Sequence, residues 1–169
     1  MAELDPNLLE SNEAHLVALE KSFRKALQLR QDDDDSGARK LFEKILQDEP
    51  RLAEPRLELA HMELLAGRHE EAETQARLAL STLQAGGQWT KDVEPPILLS
   101  FAKNLLGETI ARSLEEGDLF LTDQHAFTGR WNEASRIFGD AARIDPANED
   151  ALRNLTRFAP LPDVPAELN

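Results

Sequence analysis

Gly37–Pro50 reads GARKLFEKILQDEP and Asn132–Pro146 reads NEASRIFGDAARIDP, and one pattern runs through both. The first carries Ala38, Phe42, Ile45 and Pro50; the second carries Ala134, Phe138, Ala141 and Pro146. In each, a small residue is followed by an aromatic at +4, a further apolar residue at +7 and a proline at +12. Steps of four and three keep the first three on one face of a helix. The proline then forbids another turn. A third stretch, EEAETQARLALSTLQ (Glu70–Gln84), keeps the small residues Ala72, Ala76 and Ala79 but has neither the aromatic nor the proline. Ala38 to Ala72 is a step of 34 residues. A period of that length marks a repeat of paired helices, each pair too thin to bury its own apolar face without a neighbour.

Composition agrees. The 169 residues include no Tyr, only 5% aromatics and 30% charged side chains, and Leu, Ala, Glu, Asp and Arg dominate. Little is left from which to build a sheet, and the expectation is an all-α chain. A net charge of −13 repels nucleic-acid phosphates and anionic membrane surfaces, and favours a partner carrying basic residues. With no Cys, disulfides and thiolate metal sites are excluded. The N-terminal MAELDPNLLESNEAHL has no apolar core of signal-peptide length, and no run reaches the ~18 apolar residues of a membrane span. A soluble, cytoplasmic protein is expected.

The chain resembles the tetratricopeptide repeat (TPR) family, whose pattern sets Leu-Gly and an aromatic in one helix and A-x3-F then Pro in the next. Leu59-Ala60 and Leu106-Gly107 stand at the Leu-Gly pair, and Ile110 at the later aromatic position. Gly67-Arg68-His69 and Gly129-Arg130-Trp131 read as the short glycine turns before the second helices. The early Trp of the family is missing, and Glu63 occupies the aromatic position of the second repeat. The resemblance implies a helical-hairpin solenoid over residues 12–158, with repeats at about 19–52, 53–86 and 100–148 and a capping helix at 148–158. Residues 1–11 are expected to be flexible, and 159–169 to be a proline-rich tail. In the capping helix, Ala151, Leu152 and Leu155 should face inward.

The third repeat is irregular. Around LQAGGQWTKDVEPP a surface loop should end where Pro95 and Pro96 open a helix. Gly107 to Gly129 is a step of 22 residues where seven is usual. That second insertion is apolar, and Leu119, Phe120, Leu121 and Phe127 should fold back as a short extra helix or form a binding lip.

Two stretches offer a metal reading. Asp32, Asp34, Ser36, Gly37 and Glu43 have EF-hand spacing, but Arg39 and Lys40 put two cations beside the ion and no second loop exists. An aspartate capping the next helix explains them better. Of the four histidines, His15, His61, His69 and His125, the middle two could meet Glu70 and Glu71 on antiparallel helices, yet His69 falls at a packing position of the repeat. No cofactor, no metal and no catalytic constellation is expected.

The resemblance implies a function as well. In the family, the first helix of each repeat lines a concave, partner-binding groove. Carried over, that surface comprises Phe23, Leu27 and Arg30; then Glu54, Leu57, Glu58, His61 and Leu64; then Phe101, Asn104 and Glu108. Apolar anchors rimmed by acid suit an amphipathic segment with Lys or Arg. The carboxylate clamp of the family's chaperone-binding members is absent, because its places hold Phe23, Leu27, Glu58, Phe101 and Leu105. The expected function is a non-catalytic protein-binding adaptor or scaffold. A cytoplasmic chaperone for secreted translocator-type proteins and a self-assembling structural homo-oligomer are the alternatives.

Overall fold

Aspartate, asparagine and proline mark most of the helix starts. The computed structural model describes residues 6–162, and side-chain surroundings from residue 14. Among these residues the chain is all-helical, with eight helices and no strand. It divides between Arg51 and Leu52 into two compact units.

The first unit is a hairpin of α1 (Pro6–Gln31) and α2 (Asp35–Asp48). The turn between them passes through Asp33 in the left-handed region (φ 61°), which aspartate tolerates because its short side chain bonds locally. Asp34 then caps α2, its carboxylate accepting the Gly37 N–H at 2.9 Å. Within the aspartate run Asp33 thus makes the turn and Asp34 the helix cap. Leu19, Phe23 and Ala26 of α1 and Ala38, Phe42 and Ile45 of α2 are buried, with the Phe23 and Phe42 rings 5.6 Å apart. Helix α1 begins at Pro6, inside the stretch 1–11 that the sequence reading set apart from the domain; residues 1–5 lie outside the described residues.

The second unit holds α3 (Glu54–Leu65), α4 (His69–Gln84), α5 (Pro95–Glu116), α6 (Leu119–Thr122), α7 (Gln124–Ile144) and α8 (Glu149–Arg157). Helix α5 is its centre, with α3, α4, α7 and α8 all packed on it. Gly67 makes the α3–α4 turn at φ +71°, a conformation costly to any residue with a Cβ. Pro95 and Pro96 open α5, where a missing N–H costs nothing.

The repeat positions are the core. Ala72, Ala76, Ala79, Ala134, Phe138, Ala141 and Ile110 are all fully buried, with Leu59, Ala60 and Leu106 close behind. Their small size is used. A Cβ on Gly107 would lie 2.5 Å from Cε1 of Phe138, so the ring of α7 rests directly on the backbone of α5. Phe138 also stacks on Phe158 at 5.5 Å, Phe158 meets Trp131 at 4.9 Å, and Trp131, Phe127 and Phe120 continue the series at 5.7 and 5.2 Å.

Two sequence expectations need correction, at residues 129–131 and at Leu152. Gly129-Arg130-Trp131 is no turn: it lies inside α7, which starts five residues earlier at Gln124. The apolar insertion is taken up by lengthening α5 and α7, with residues 117–123 between them, of which Leu119–Thr122 form the short helix α6. Leu119 and Phe127 pack on the core, whereas Phe120 is 53% exposed and Leu121 82%. In α8, Ala151 is buried and Leu155 packs inward, but Leu152 faces outward. Of the expected tail, 159–162 follow α8 without regular structure, and 163–169 lie outside the described residues.

Gly107→Ala should lower the unfolding free energy by about 1–3 kcal/mol in urea titrations, since the methyl must displace Phe138. Alanine's better helix propensity alone would raise it by about 1 kcal/mol. A neutral or stabilising outcome would refute the contact.

Candidate functional site

The groove residues inferred from sequence divide into three groups once their surroundings are known. The first group is core. Phe23 packs against Phe42 in the first unit, and Leu57 and Leu64, each 3% exposed, belong to the core of the second. As anchors for a partner these three are corrected: their side chains point into the protein. The cause is helix phase, because a register shift of one residue rotates a side chain by about 100°. Leu27 and Arg30 are half-buried on the last turns of α1.

The second group does structural work in polar seams. Glu54 was expected to orient a partner, yet it is 5% exposed and holds the α4–α5 loop. Its Oε1 accepts the backbone N–H groups of Trp89 (2.7 Å) and Thr90 (2.8 Å) and the Thr90 hydroxyl (2.9 Å). Three donors satisfy this oxygen, while Oε2 of the same carboxylate is buried without a hydrogen-bond partner among the described residues. Asn104 and Glu108 are brought together with Asn154 of α8. Asn104 Nδ2 donates to Glu108 Oε1 at 3.0 Å, and Asn154 Nδ2 lies 3.0 Å from Asn104 Oδ1 and 2.9 Å from Glu108 Oε1. Nearby, Ser100 donates to the Ala141 carbonyl at 2.8 Å and accepts from Asn148, whose own Oδ1 caps α8. The C-terminal helix thus occupies part of the face assigned to a partner.

The third group remains on the surface. Phe101 is 47% exposed, and Ile97, one turn earlier on α5, is 46% exposed. Glu58 and His61 are half-buried on α3, which packs on α5. A cavity of about 290 Å³ opens between the end of α4, the start of α5 and the end of α7, walled by Leu83, Pro95, Pro96, Leu99 and Ile144 with Gln84 and Gln88. No titratable side chain lines it, so it can accept an apolar group but offers no acid, base or nucleophile.

Among the described residues, no three His, Asp or Glu side chains are grouped to hold a metal ion. His69 lies with its Nε2 2.8 Å from Glu116 Oε2, bracing α4 against α5, while Glu70 and Glu71 are exposed. No described helix is long and apolar enough to cross a membrane.

Sequence reasoning missed the most charged feature of the second unit. Glu73 and Arg77 of α4 meet Arg130 and Glu133 of α7 in a closed ring, with Arg77–Glu73 at 2.7 Å, Arg77–Glu133 at 2.6 Å, Arg130–Glu73 at 2.5 Å and Arg130–Glu133 at 2.6 Å. The i, i+4 pair was visible in sequence, but its partner 56 residues away was not. Burial alone would push the Glu73 carboxyl up; the hydrogen bonds from Arg130 and Arg77 outweigh it and hold the group below its ordinary value.

Neither the family models nor the curated proteins compared with this chain gave a match. The repeat residues themselves therefore carry the whole of the family resemblance.

Glu73→Gln should cost about 1–2 kcal/mol at pH 7. A depressed carboxylate stabilises the fold above its ordinary value of 4.5 and loses that contribution as the pH falls through its lower folded value. The gap between wild type and Glu73→Gln in urea unfolding should therefore narrow as the pH is lowered below 4.5. A gap that stays constant over this range would contradict the ring's role.

Proposed function

We propose that the chain is a helical-hairpin protein of tetratricopeptide type that serves as a non-catalytic adaptor. Its partner is a protein segment, amphipathic and basic, held on the exposed side of α3 and α5 in the second unit. The observation that carries the family reading is the burial of one residue pattern in three separate helices: Ala38, Phe42 and Ile45; Ala72, Ala76 and Ala79; Ala134, Phe138 and Ala141. In the solenoid reading, each of these triplets packs a second helix against the first helix of its own hairpin.

The binding reading rests on what the core leaves outside. Phe101 and Ile97 form an apolar step on α5 that no helix of the second unit covers, and Phe101 is the one sequence-assigned anchor left about half exposed. Glu58 and His61 are half-buried on the neighbouring α3. Aromatic side chains that are rigid and half-exposed supply binding energy at small entropic cost. The surplus of acid over base across the chain makes a cationic partner the favoured one and an anionic partner the disfavoured one. Folded helices present this surface in advance, so little ordering entropy is lost on association.

The test uses two synthetic amphipathic helices with the same Leu stripe, one flanked by Lys and the other by Glu. The Lys peptide should bind the full-length protein with a salt-sensitive affinity and the Glu peptide should not. Phe101→Asp should weaken the Lys peptide about tenfold or more, with unchanged circular dichroism. Equal binding of both peptides, or full affinity in Phe101→Asp, would defeat the proposal.

A further inference from the structure

The last described residues are held in a manner that none of the groove reasoning requires. After α8 the chain enters the core once more at Phe158, which is 3% exposed and stacked on Phe138. Ala159-Pro160-Leu161-Pro162 then runs against α7 without regular structure. Two adjacent α7 side chains hold it. The Trp131 indole donates from Nε1 to the Ala159 carbonyl at 2.8 Å. Asn132 pairs with both main-chain groups of Leu161, donating from Nδ2 to its carbonyl at 3.0 Å and accepting its N–H on Oδ1 at 2.8 Å.

These contacts read backbone. A side-chain amide that satisfies the N–H and C=O of one residue does what a neighbouring strand would do, so it selects an extended conformation rather than a particular side chain. The alternation of proline supplies the selectivity. Ala159 and Leu161, the two residues that carry the hydrogen bonds, each precede a proline. Pre-proline residues are biased to extended and polyproline II geometry, so the segment loses little freedom on docking. Pro160 and Pro162 have no N–H to leave unpaired. Meanwhile Ala159, Pro160 and Pro162 stay exposed and only Leu161 is half-buried, so the seat adds little to the core and can be vacated without opening it.

We propose that Trp131 and Asn132 form a docking site on α7 for an extended peptide of alternating proline, of the class Ala-Pro-Leu-Pro, and that the chain's own tail fills this site in cis. The partner is a protein bearing such a segment, which competes with the tail. Tethering presents the tail at an effective concentration on the order of millimolar, so the intact chain answers only to a partner that is tight or abundant. The site is separate from the α3–α5 surface and is tested independently of it.

The probe is the capped pentapeptide of residues 159–163, titrated into the full-length protein while the Trp131 indole N–H is followed by NMR. Leu161→Pro in the chain removes the N–H that Asn132 accepts and frees the tail. The peptide should bind this variant at least tenfold tighter than it binds wild type. Adding Asn132→Ala to Leu161→Pro should abolish binding, with circular dichroism unchanged. A peptide with both prolines replaced by Ala should bind the Leu161→Pro protein several-fold more weakly. Equal affinity for wild type and Leu161→Pro would overturn the cis occupancy. No indole response in Leu161→Pro up to millimolar peptide would overturn the site itself and leave the tail as a structural strap.

Discussion

The approach of Phe138 to the backbone of Gly107 governs the second unit. With no side chain at position 107, α7 comes close enough for its ring to lie on the backbone of α5. Close-packed interiors gain from such contacts because every missing atom leaves its neighbours with fewer dispersion partners. The same ring is the far end of an aromatic series through Phe158, Trp131, Phe127 and Phe120. That series ties α6, α7 and the residue following α8 into one seam. Without the close crossing, Phe138 could not serve both α5 and Phe158, and Trp131 would lose the packing that fixes its indole toward Ala159.

Charge adds a second layer of constraint. The chain carries 32 acidic and 19 basic side chains, and several of the basic ones are committed to internal pairs. Arg68 pairs with Glu63, Lys103 and Arg143 with Asp140, Arg157 with Glu115, and the Arg77–Arg130 ring takes Glu73 and Glu133. Two of these, the Lys103–Asp140 and Arg157–Glu115 pairs, link helices distant in sequence, and the Arg77–Arg130 ring is a network rather than an isolated surface pair. The acid that has no such partner is what an approaching molecule meets. That surplus, together with the Phe101 step, gives the proposed adaptor surface its preference for cationic, amphipathic segments.

The core was legible because its period is local. Ala38, Phe42 and Ile45 share a helix face by spacing alone, and the same holds for Ala134, Phe138 and Ala141; their burial needed no knowledge of tertiary partners. The candidate surface was read less well, since a one-residue change in helix phase separates Phe101, which is exposed, from Leu57 and Leu64, which are not. Glu54 looked like a surface acid at a helix start, and only the long-range return of Trp89 and Thr90 reveals it as a loop anchor. Asn104 and Asn154 stand 50 residues apart, and neither alone signals the seam they form. Gly129 was misread because glycine before an aromatic helix usually marks a turn, whereas here two extra turns of α7 absorb the insertion. The Trp131–Asn132 clamp left no sequence trace beyond the prolines that follow Ala159 and Leu161, the residues it holds.

The most direct measurement is a nuclear Overhauser and chemical-shift analysis of Gly107 in the full-length protein. A Phe138 ring resting on the α5 backbone predicts ring-current-shifted Gly107 Hα resonances and cross-peaks from those protons to the Phe138 ring. Unshifted Gly107 resonances with no cross-peak to Phe138 would contradict the helix crossing on which the rest of the account is built.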